Sequence, residues 1–194
     1  MKQMIDLFSG LGGASEGFLV DGWSVNRYEN NPLLGNVPFT TLCDLRHPLP
    51  SVPGDAFFIW ASPPCDEFSN AFSAPAPLAK REGRDFEPSL ELVKRAMAII
   101  EELNPTYWCI ENVVGAIKHF EPLLGEPRQI IGPFVLWGNF PLIDVDRFNT
   151  HTKAGVDVWS TDPLRKNKKG KIPIELSSAV RRVLDSQKTL DEFY

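Results

Sequence analysis

One of the three cysteines of the chain stands in a setting suited to chemistry. Cys65 follows Pro63 and Pro64, directly after the apolar run 56–61, and two acidic residues come next. The prolines fix the backbone and prevent a helix from continuing, so they would hold the thiol rigidly at the end of a strand. A structural cysteine normally lies within an apolar run, as Cys109 does, and the contrast favours a nucleophilic role for Cys65.

Three further apolar runs end in distinctive polar residues. The first ends in DLFSGLGG at 6–13, whose glycines let the backbone approach a ligand at the N-terminus of a helix. Glu29, about 20 residues further on, can accept hydrogen bonds from ribose hydroxyls. Glu111, in Glu111-Asn112-Val113, ends another strand, where a buried carboxylate is costly unless it binds something. Taken singly, a tight turn, a surface glutamate and a helix cap at Asn112 remain open alternatives.

The elements that would carry these groups alternate along residues 1–137. Strands are predicted at 4–8, 23–28, 40–43, 56–61 and 107–110, and helices at 14–20, 89–103 and 174–186. Ser89 is the predicted N-cap of the second helix. Repeated strand–helix–strand units predict an α/β fold with a mostly parallel sheet and helices on both faces. Ligands of such sheets bind outside the carboxyl ends of the strands.

The remaining segments have less regular patterns. Residues 130–143 look like strand material with a Gly-Asn turn at 138–139, which predicts an antiparallel edge. Residues 62–88 form a long Pro/Ala/Ser-rich stretch, typical of a functional loop. Residues 144–171 are polar and irregular and end in LRKNKKGK, with five basic residues and no acidic one. That run could follow nucleic-acid phosphates or be a solvated flexible loop.

Length and composition limit the class of protein. A chain of 194 residues suffices for one domain with a real core. The net charge of −5 argues against a protein that coats nucleic acid through general basicity. No apolar run approaches the roughly 20 residues that span a bilayer, and MKQMIDLF lacks a signal-peptide pattern. With three widely spaced cysteines and no CxxC, we expect a cytoplasmic, reducing location and no membrane partner.

The order of three motifs resembles the cytosine-C5 DNA methyltransferases: DLFSGLGG, then PPC followed by FS, then ENV. The resemblance covers roughly residues 3–140 and is specific because all three motifs occur together. It implies a Rossmann-like methyltransferase fold that uses S-adenosylmethionine as cofactor. It also implies a short member of the family, without most of the target-recognition domain.

The resemblance implies a cofactor site along the glycine loop and the strand ends. Phe8 would lie against the adenine, Gly10 and Gly12 along the methionine side, Glu29 on the ribose and Asp44 near the adenine amino group. The complete set of implied cofactor-binding residues is Asp6, Phe8, Ser9, Gly10, Gly12, Gly13, Glu29, Asn30, Asp44, Leu45 and Ser62.

The resemblance also implies a catalytic set. Cys65 would be the nucleophile and Glu111 its partner, with Pro64, Asn112 and Arg128 beside them. A thiolate that adds to carbon 6 of cytosine makes carbon 5 nucleophilic, while a carboxylic acid near N3 stabilises the developing charge. Arg128 would stand in for an arginine that contacts the base. No metal ion is implied.

Two departures from the family pattern concern this site. Asp66 stands where the family usually has glutamine, and a carboxylate beside a thiol tends to raise the thiol pKa. The Gln-x-Arg-x-Arg motif of the family is absent, and Pro127-Arg128-Gln129 is the nearest match. The final segment resembles the C-terminal helix motif of the family, which packs near the cofactor.

The sequence therefore predicts three parts. Residues 1–143 would form the catalytic and cofactor-binding core, 144–171 a short irregular basic segment in place of the recognition domain, and 172–194 a C-terminal helix that packs back on the core. The predicted activity is methylation of cytosine carbon 5 in DNA. The alternatives are RNA or single-stranded DNA as substrate, or a catalytically weak cofactor-binding subunit that needs a partner chain.

Overall fold

The computed structural model describes residues 1–51, 54–145 and 160–187. Within them, seven strands form one sheet in the order β3-β2-β1-β4-β5-β7-β6. The strands are β1 (Gln3–Leu7), β2 (Ser24–Glu29), β3 (Thr40–Leu42), β4 (Phe58–Ala61), β5 (Tyr107–Val113), β6 (Gln129–Ile131) and β7 (Phe134–Asn139). The helices are α1 (Gly13–Val20), α2 (Pro75–Arg81), α3 (Glu91–Leu103), α4 (Ile117–Leu124), α5 (Arg165–Gly170) and α6 (Ile174–Asp185).

The first five strands are parallel, as predicted, and their register aligns the polar strand ends. Leu7 pairs with both Tyr28 and Ala61, and Ala61 pairs with Ile110. The residue after each of these four positions is therefore at the same level of the sheet. Those next residues are Phe8, Glu29, Ser62 and Glu111. One row across four strands thus carries groups that the sequence singled out separately.

Helices cover both faces of the sheet because successive side chains of the central strands point to opposite sides. Ile59 lies in the apolar core shared with α3 and α4, whereas Phe58 and Trp60 lie in the core shared with α1 and α6. All three side chains are fully buried. The alternation explains why the 56–61 run is apolar throughout and why it predicted a central strand.

Helix α6 packs closely on α1 because two glycines remove side chains from the contact. A Cβ on Gly13 would lie 2.4 Å from the carbonyl oxygen of Ile172, and a Cβ on Gly17 would lie 2.4 Å from the backbone nitrogen of Ser178. The Gly17 N–H donates a 3.1 Å hydrogen bond to Oγ of Ser177. The segment that enters α6 is therefore held against the start of α1.

The predicted turn at 138–139 is wrong. Strands β6 and β7 form an antiparallel hairpin that turns at Gly132 and Pro133, and β7 lies antiparallel to β5. Gly138 lies within β7, where a Cβ would be 2.2 Å from the carbonyl oxygen of Trp108. That glycine is needed for a close approach of strands and not for a turn. The antiparallel edge itself was predicted correctly.

Other elements also differ from the sequence prediction, which did not include helix α4. Helix α2 lies within the predicted 62–88 loop, and the basic run 165–170 is helical instead of irregular. Strand β5 continues through Glu111, so this carboxylate lies within the strand. Helix α3 begins at Glu91 with Leu90 as its N-cap; Ser89 is one residue too early, although its Oγ accepts a 3.3 Å bond from the Glu91 N–H. Residues 146–159 of the predicted basic segment lie outside the described residues.

No helix in the described ranges is long and apolar enough to cross a membrane.

Candidate active site

A cavity of about 380 Å³ opens at the carboxyl ends of the parallel strands. Most of the predicted site residues line it, because the strand register places them in one row and the loops after β1 and β4 close over that row. The predicted residues that line it are Asp6, Phe8, Ser9, Gly10, Gly13, Glu29, Asn30, Asp44, Leu45, Ser62, Pro64, Cys65 and Glu111.

Glu29 organises the glycine loop at the cofactor end of this cavity. One of its carboxylate oxygens accepts a 2.8 Å hydrogen bond from the Gly10 N–H. The other accepts bonds of 3.0 Å and 2.9 Å from the N–H groups of Asn30 and Asn31. The buried carboxylate therefore joins the loop after β1 to the end of β2, which fixes the backbone that a cofactor would contact.

Asp6 lies beneath the glycine loop in a polar chain that the sequence did not reveal. Ser15 Oγ donates a 2.6 Å hydrogen bond to Asp6 Oδ2, and Arg27 Nε donates a 2.7 Å bond to Ser15 Oγ. Burial raises the pKa of Asp6 to about 7, against the opposing effects of the Ser15 bond and the Arg27 charge. Burial also lowers the pKa of Arg27. The only sequence signal was an arginine inside the strand SVNRYE, which needed a partner.

Two residues that line the cavity each carry a buried polar atom without a protein partner. Within the described residues, neither Asp6 Oδ1 nor Ser9 Oγ has a hydrogen-bond partner. Both residues are less than a tenth exposed, and both line the cavity. Unsatisfied buried polar atoms are rare and call for a bound group. A ligand with an ammonium or hydroxyl group, such as the amino-acid part of S-adenosylmethionine, fits these two atoms.

Asp44 and Phe8 mark the other part of the cofactor end. The Arg46 side chain donates hydrogen bonds to both oxygens of Asp44, the shortest 2.7 Å, and lowers its pKa to about 2. Phe8 has a left-handed backbone with φ 60, which turns the chain sharply after β1. The predicted contact of Phe8 with an adenine stays a prediction, but its place in the cavity lining is compatible with it.

Glu111 is held by a hydrogen-bond chain from the neighbouring strand. Ser62 Oγ donates a 2.8 Å bond to Glu111 Oε2, and the Trp60 indole N–H donates a 2.8 Å bond to Ser62 Oγ. The Glu111 side chain is buried, with the residue 8% exposed. Ser62, which the sequence places among the cofactor residues, lines the cavity and also holds the Glu111 carboxylate.

Asn112 positions the Pro-Pro-Cys loop instead of lining the cavity. Its buried amide donates a 3.0 Å hydrogen bond to the carbonyl oxygen of Pro63, and its Oδ1 accepts a 2.9 Å bond from the Val113 N–H. The loop that carries Cys65 is thereby tied to the end of β5. The helix-cap alternative for Asn112 is not what the structure shows.

Two more predicted residues do not line the cavity. Gly12 lies at the start of α1 with φ 76, and a Cβ there would be 2.3 Å from Cζ of Arg27. Arg128 is exposed and donates a 3.3 Å hydrogen bond to the carbonyl oxygen of Phe140. The structure therefore gives Arg128 no place beside Cys65, because its partner Phe140 follows β7 at the end of the sheet opposite the carboxyl ends of the parallel strands.

Helix α5 covers part of the same cavity, which the sequence did not predict. Lys166, Asn167 and Lys169 line it together with the residues that follow the helix. Lys166 Nζ lies 3.1 Å from Asp66 Oδ2, and Lys171 Nζ lies 2.6 Å from Glu16 Oε1. The helix is thus joined to the Cys65 loop at one end and to α1 at the other.

The three thiols differ in their surroundings. Cys65 and Cys43 are half-buried and both line the cavity, whereas Cys109 is buried in the core. Burial, with the nearby Asp44 charge, raises the pKa of Cys43, and burial raises the pKa of Cys109 far more. Cys43 and Cys109 are therefore poor nucleophiles near neutral pH. Among the described residues no cluster suited to a metal ion occurs.

A parallel sheet with a glycine loop, a Pro-Pro-Cys loop and a Glu-Asn-Val strand at one edge defines a Rossmann-like methyltransferase fold. The profile of the C-5 cytosine-specific DNA methylases matches residues 2–124, and the chain belongs to this family. The predictions of family, fold and cofactor are thereby confirmed, since S-adenosylmethionine is the methyl donor of these enzymes.

Several solved structures are similar to the chain. A DNA modification methyltransferase encoded within an E. coli prophage is 20% identical, with 72% of this chain and 47% of that chain covered at a TM-score of 0.47. Entamoeba histolytica EhMeth is 14% identical, with 75% and 55% covered at a TM-score of 0.49. S. pombe Dnmt2 is 18% identical, with 62% and 36% covered at a TM-score of 0.37. The chain thus spans between 36% and 55% of these proteins. No curated protein matches it.

Proposed function

We propose that this protein transfers a methyl group from S-adenosylmethionine to carbon 5 of cytosine in nucleic acid, with DNA as the favoured substrate, through a covalent adduct with Cys65. One observation carries the proposal. Cys65 and Glu111 line the same cavity of about 380 Å³ as the glycine loop and the unsatisfied atoms of Asp6 and Ser9.

The cofactor would lie along the row formed by the ends of β1 and β2. Asp6 and Ser9 would take the polar groups of its amino-acid part, Glu29 its ribose, and Phe8 with Asp44 its adenine. S-adenosylmethionine supplies an electrophilic methyl group when bound. The hydrogen bonds from Gly10 and Asn30 to Glu29 preorganise this surface, so little reorganisation accompanies binding.

The chain's own residues would activate the cytosine. The Cys65 thiolate adds to carbon 6, and the electron pair of the 5,6 double bond becomes available at carbon 5. Glu111 in its acid form donates a hydrogen bond or proton to N3, which stabilises the negative charge that forms on the ring. Once carbon 5 is methylated, its proton passes to solvent water, the 5,6 double bond re-forms, and the bond from carbon 6 to sulfur breaks to release the thiolate.

The residues available around the cavity bear on how specifically the protein could recognise a nucleic-acid sequence. Only residues 140–164 lie between β7 and α5, so few side chains are available to read base edges in a major groove. We therefore propose low sequence specificity, or a partner chain that supplies recognition. The division that we propose has a catalytic and cofactor-binding core at 1–143, a short basic segment in place of a recognition domain at 144–171, and a C-terminal helix that packs back on the core at 172–194.

One observation favours the catalytically weak alternative. Asp66 places a carboxylate beside Cys65, which disfavours a thiolate. In the absence of nucleic acid, the ammonium of Lys166 lies 3.1 Å from that carboxylate and offsets its charge. We retain the enzyme as the leading proposal because Cys65 and Glu111 are both present and lie at one cavity.

The decisive experiment follows label from methyl-labelled S-adenosylmethionine into duplex DNA, single-stranded DNA and tRNA. Label recovered as 5-methylcytosine in duplex DNA would support the proposal as stated. Label only in RNA or in single strands would retain the mechanism and change the substrate. Bound cofactor with no label in any nucleic acid would overturn the enzyme proposal in favour of the cofactor-binding subunit.

A further inference from the structure

The residue next to the proposed nucleophile is held by the basic helix α5. Asp66 Oδ2 lies 3.1 Å from Lys166 Nζ, and both residues line the cavity that contains Cys65. This contact joins positions 100 residues apart in the chain. Neither the family pattern at position 66 nor the local sequence requires it.

We propose that Lys166 binds the backbone phosphate of the target nucleotide and that Asp66 occupies Lys166 when nucleic acid is absent. The Asp66–Lys166 ion pair would open as the phosphate replaces the carboxylate. The Asp66 carboxylate then competes with the phosphate for the Lys166 ammonium. Because Asp66 stands where the family usually has glutamine, this competition lowers the affinity for nucleic acid. The inference rests on the proposed function, in which Cys65 attacks cytosine.

The chemistry of that attack places a phosphate beside position 66. In a pyrimidine nucleotide with the base in the usual anti orientation, the carbon 6 edge of the base faces its own 5′ phosphate. A thiolate that reaches carbon 6 therefore has this phosphate close to its own backbone. Asp66 follows Cys65 directly and lines the same cavity as Lys166, so in our proposal the phosphate comes close to the Asp66 carboxylate and competes with it for Lys166.

The lysines of α5 suit a phosphate, but only some of them line the cavity. Lys166 and Lys169 line the cavity. Lys168, on the same helix, does not line it and lies 2.5 Å from Asp162. The helix sequence RKNKKG has no acidic residue. The cavity side of α5 therefore offers ammonium groups for which Asp66 provides a carboxylate partner.

Opening the Asp66–Lys166 ion pair should cost little free energy because the pair is exposed. The side chains of Lys166 and Asp66 are 72% and 59% exposed, and pairs of this kind add little to stability. A phosphodiester carries the same charge as the carboxylate and arrives with further phosphates for neighbouring lysines. Association with nucleic acid also releases condensed counterions, which favours the exchange at low salt.

Binding of a short fluorescein-labelled DNA duplex that contains cytosine tests the proposal by fluorescence anisotropy. The measurement is made without S-adenosylmethionine, at salt concentrations from about 50 to 200 mM. Variants Asp66→Asn and Lys166→Gln are compared with the wild-type chain. Lys168→Gln is the matched control, since it removes the same charge from the same helix on the side away from the cavity.

Asp66→Asn should bind the duplex about two- to fivefold more tightly, because a carboxylate no longer competes for Lys166. Lys166→Gln should bind roughly fivefold more weakly and lower the salt slope by about 0.9, the value of one phosphate contact. Lys168→Gln should change both quantities less. In the double variant with Lys166→Gln, Asp66→Asn should lose most of its effect.

An Asp66→Asn variant that binds no more tightly than wild type would overturn the proposal. So would equal losses in Lys166→Gln and Lys168→Gln, or a wild-type chain with no affinity for the duplex. Failure of the proposed function is seen separately, as an absence of methyl transfer by a wild-type chain that does bind the duplex and does respond to these substitutions.

Discussion

Ser62 and Glu111 are joined by a 2.8 Å hydrogen bond between adjacent strands β4 and β5. The pairing of Ala61 with Ile110 brings the two residues to the same level of the sheet. The Trp60 indole holds the Ser62 hydroxyl in turn. The position of the proposed catalytic carboxylate is therefore set by the sheet before any substrate arrives, which is the kind of preorganisation that catalysis requires.

Ser62→Ala should lower kcat for methyl transfer by about tenfold to a hundredfold. Glu111 becomes a carboxylate as its proton passes to N3, and a hydrogen bond to a charged group contributes roughly 1.5–3 kcal/mol. Affinity for S-adenosylmethionine should change little. Steady-state kinetics and calorimetry measure the two quantities. Ser73→Ala, at an exposed loop position, is the control, and a change in cofactor affinity alone would return Ser62 to the cofactor site.

Cys65→Ser should abolish methyl transfer while cofactor affinity stays nearly unchanged, because the thiol forms the bond to carbon 6 and does not hold the cofactor. Cys43→Ser is the matched control, since Cys43 is also half-buried and lines the same cavity. Turnover of methyl label measures both. Turnover of Cys65→Ser at the wild-type rate would remove this thiol from the mechanism.

Phe8→Ala should weaken S-adenosylmethionine binding by about 1–3 kcal/mol through loss of ring contact. Phe39→Ala is a close control, because both phenylalanines have a left-handed backbone, with φ of 60 and 64, and Phe39 is 62% exposed outside the cavity lining. Calorimetric titration gives both affinities. Equal affinities for the two variants would mean that the adenine lies elsewhere.

Gly13→Ala should destabilise the protein by about 1–3 kcal/mol, because the new methyl group would lie 2.4 Å from the backbone oxygen of Ile172 and would push α6 from α1. Gly170→Ala is the control, as no atom lies within 4 Å of a Cβ there. Denaturant unfolding measures both variants. A Gly13→Ala protein as stable as Gly170→Ala would contradict the close α1–α6 contact.

Asp6 should make folding stability fall as pH rises from about 4 to about 7. The folded protein keeps this proton until its pKa of about 7, whereas the unfolded chain loses it near 3.8, so the unfolded state binds fewer protons in that interval. Above about pH 7 the folded protein has also lost this proton, so the free energy of unfolding falls no further from this cause. Asp6→Asn should lack this component, and Asp85→Asn, at an exposed position, should retain it. Urea unfolding across this pH range measures the difference, and parallel curves for wild type and Asp6→Asn would contradict the raised pKa.

Strand and helix identities could be predicted from the sequence where the apolar pattern alone decides them. The run 56–61 is apolar on both faces because helices cover both sides of β4, and the spacing in α3 reflects one buried stripe. Gly138 was misread because a glycine followed by asparagine indicates a turn locally. A glycine is needed at position 138 because Trp108 on a neighbouring strand approaches closely, and no local pattern shows that approach.

A site residue could be predicted from the sequence only where its own local motif indicates a chemical role. Cys65 and Glu111 could be recognised because a thiol behind two prolines and a carboxylate at a buried strand are unusual wherever they lie. Ser15 and Arg27 could not, because their role beneath Asp6 depends on partners supplied by other elements. Arg128 matched a motif by position alone, and the hairpin places it away from the cavity.

By itself the sequence indicated the family and the order of the five parallel strands, because motif residues and apolar runs are local properties. The tertiary structure alone decided which groups meet. Strand register set Ser62 beside Glu111, and the position of α5 at the cavity brought Lys166 to Asp66. Such contacts join residues far apart in the chain, and their partners are chosen by the burial of whole faces, which no short stretch of sequence specifies.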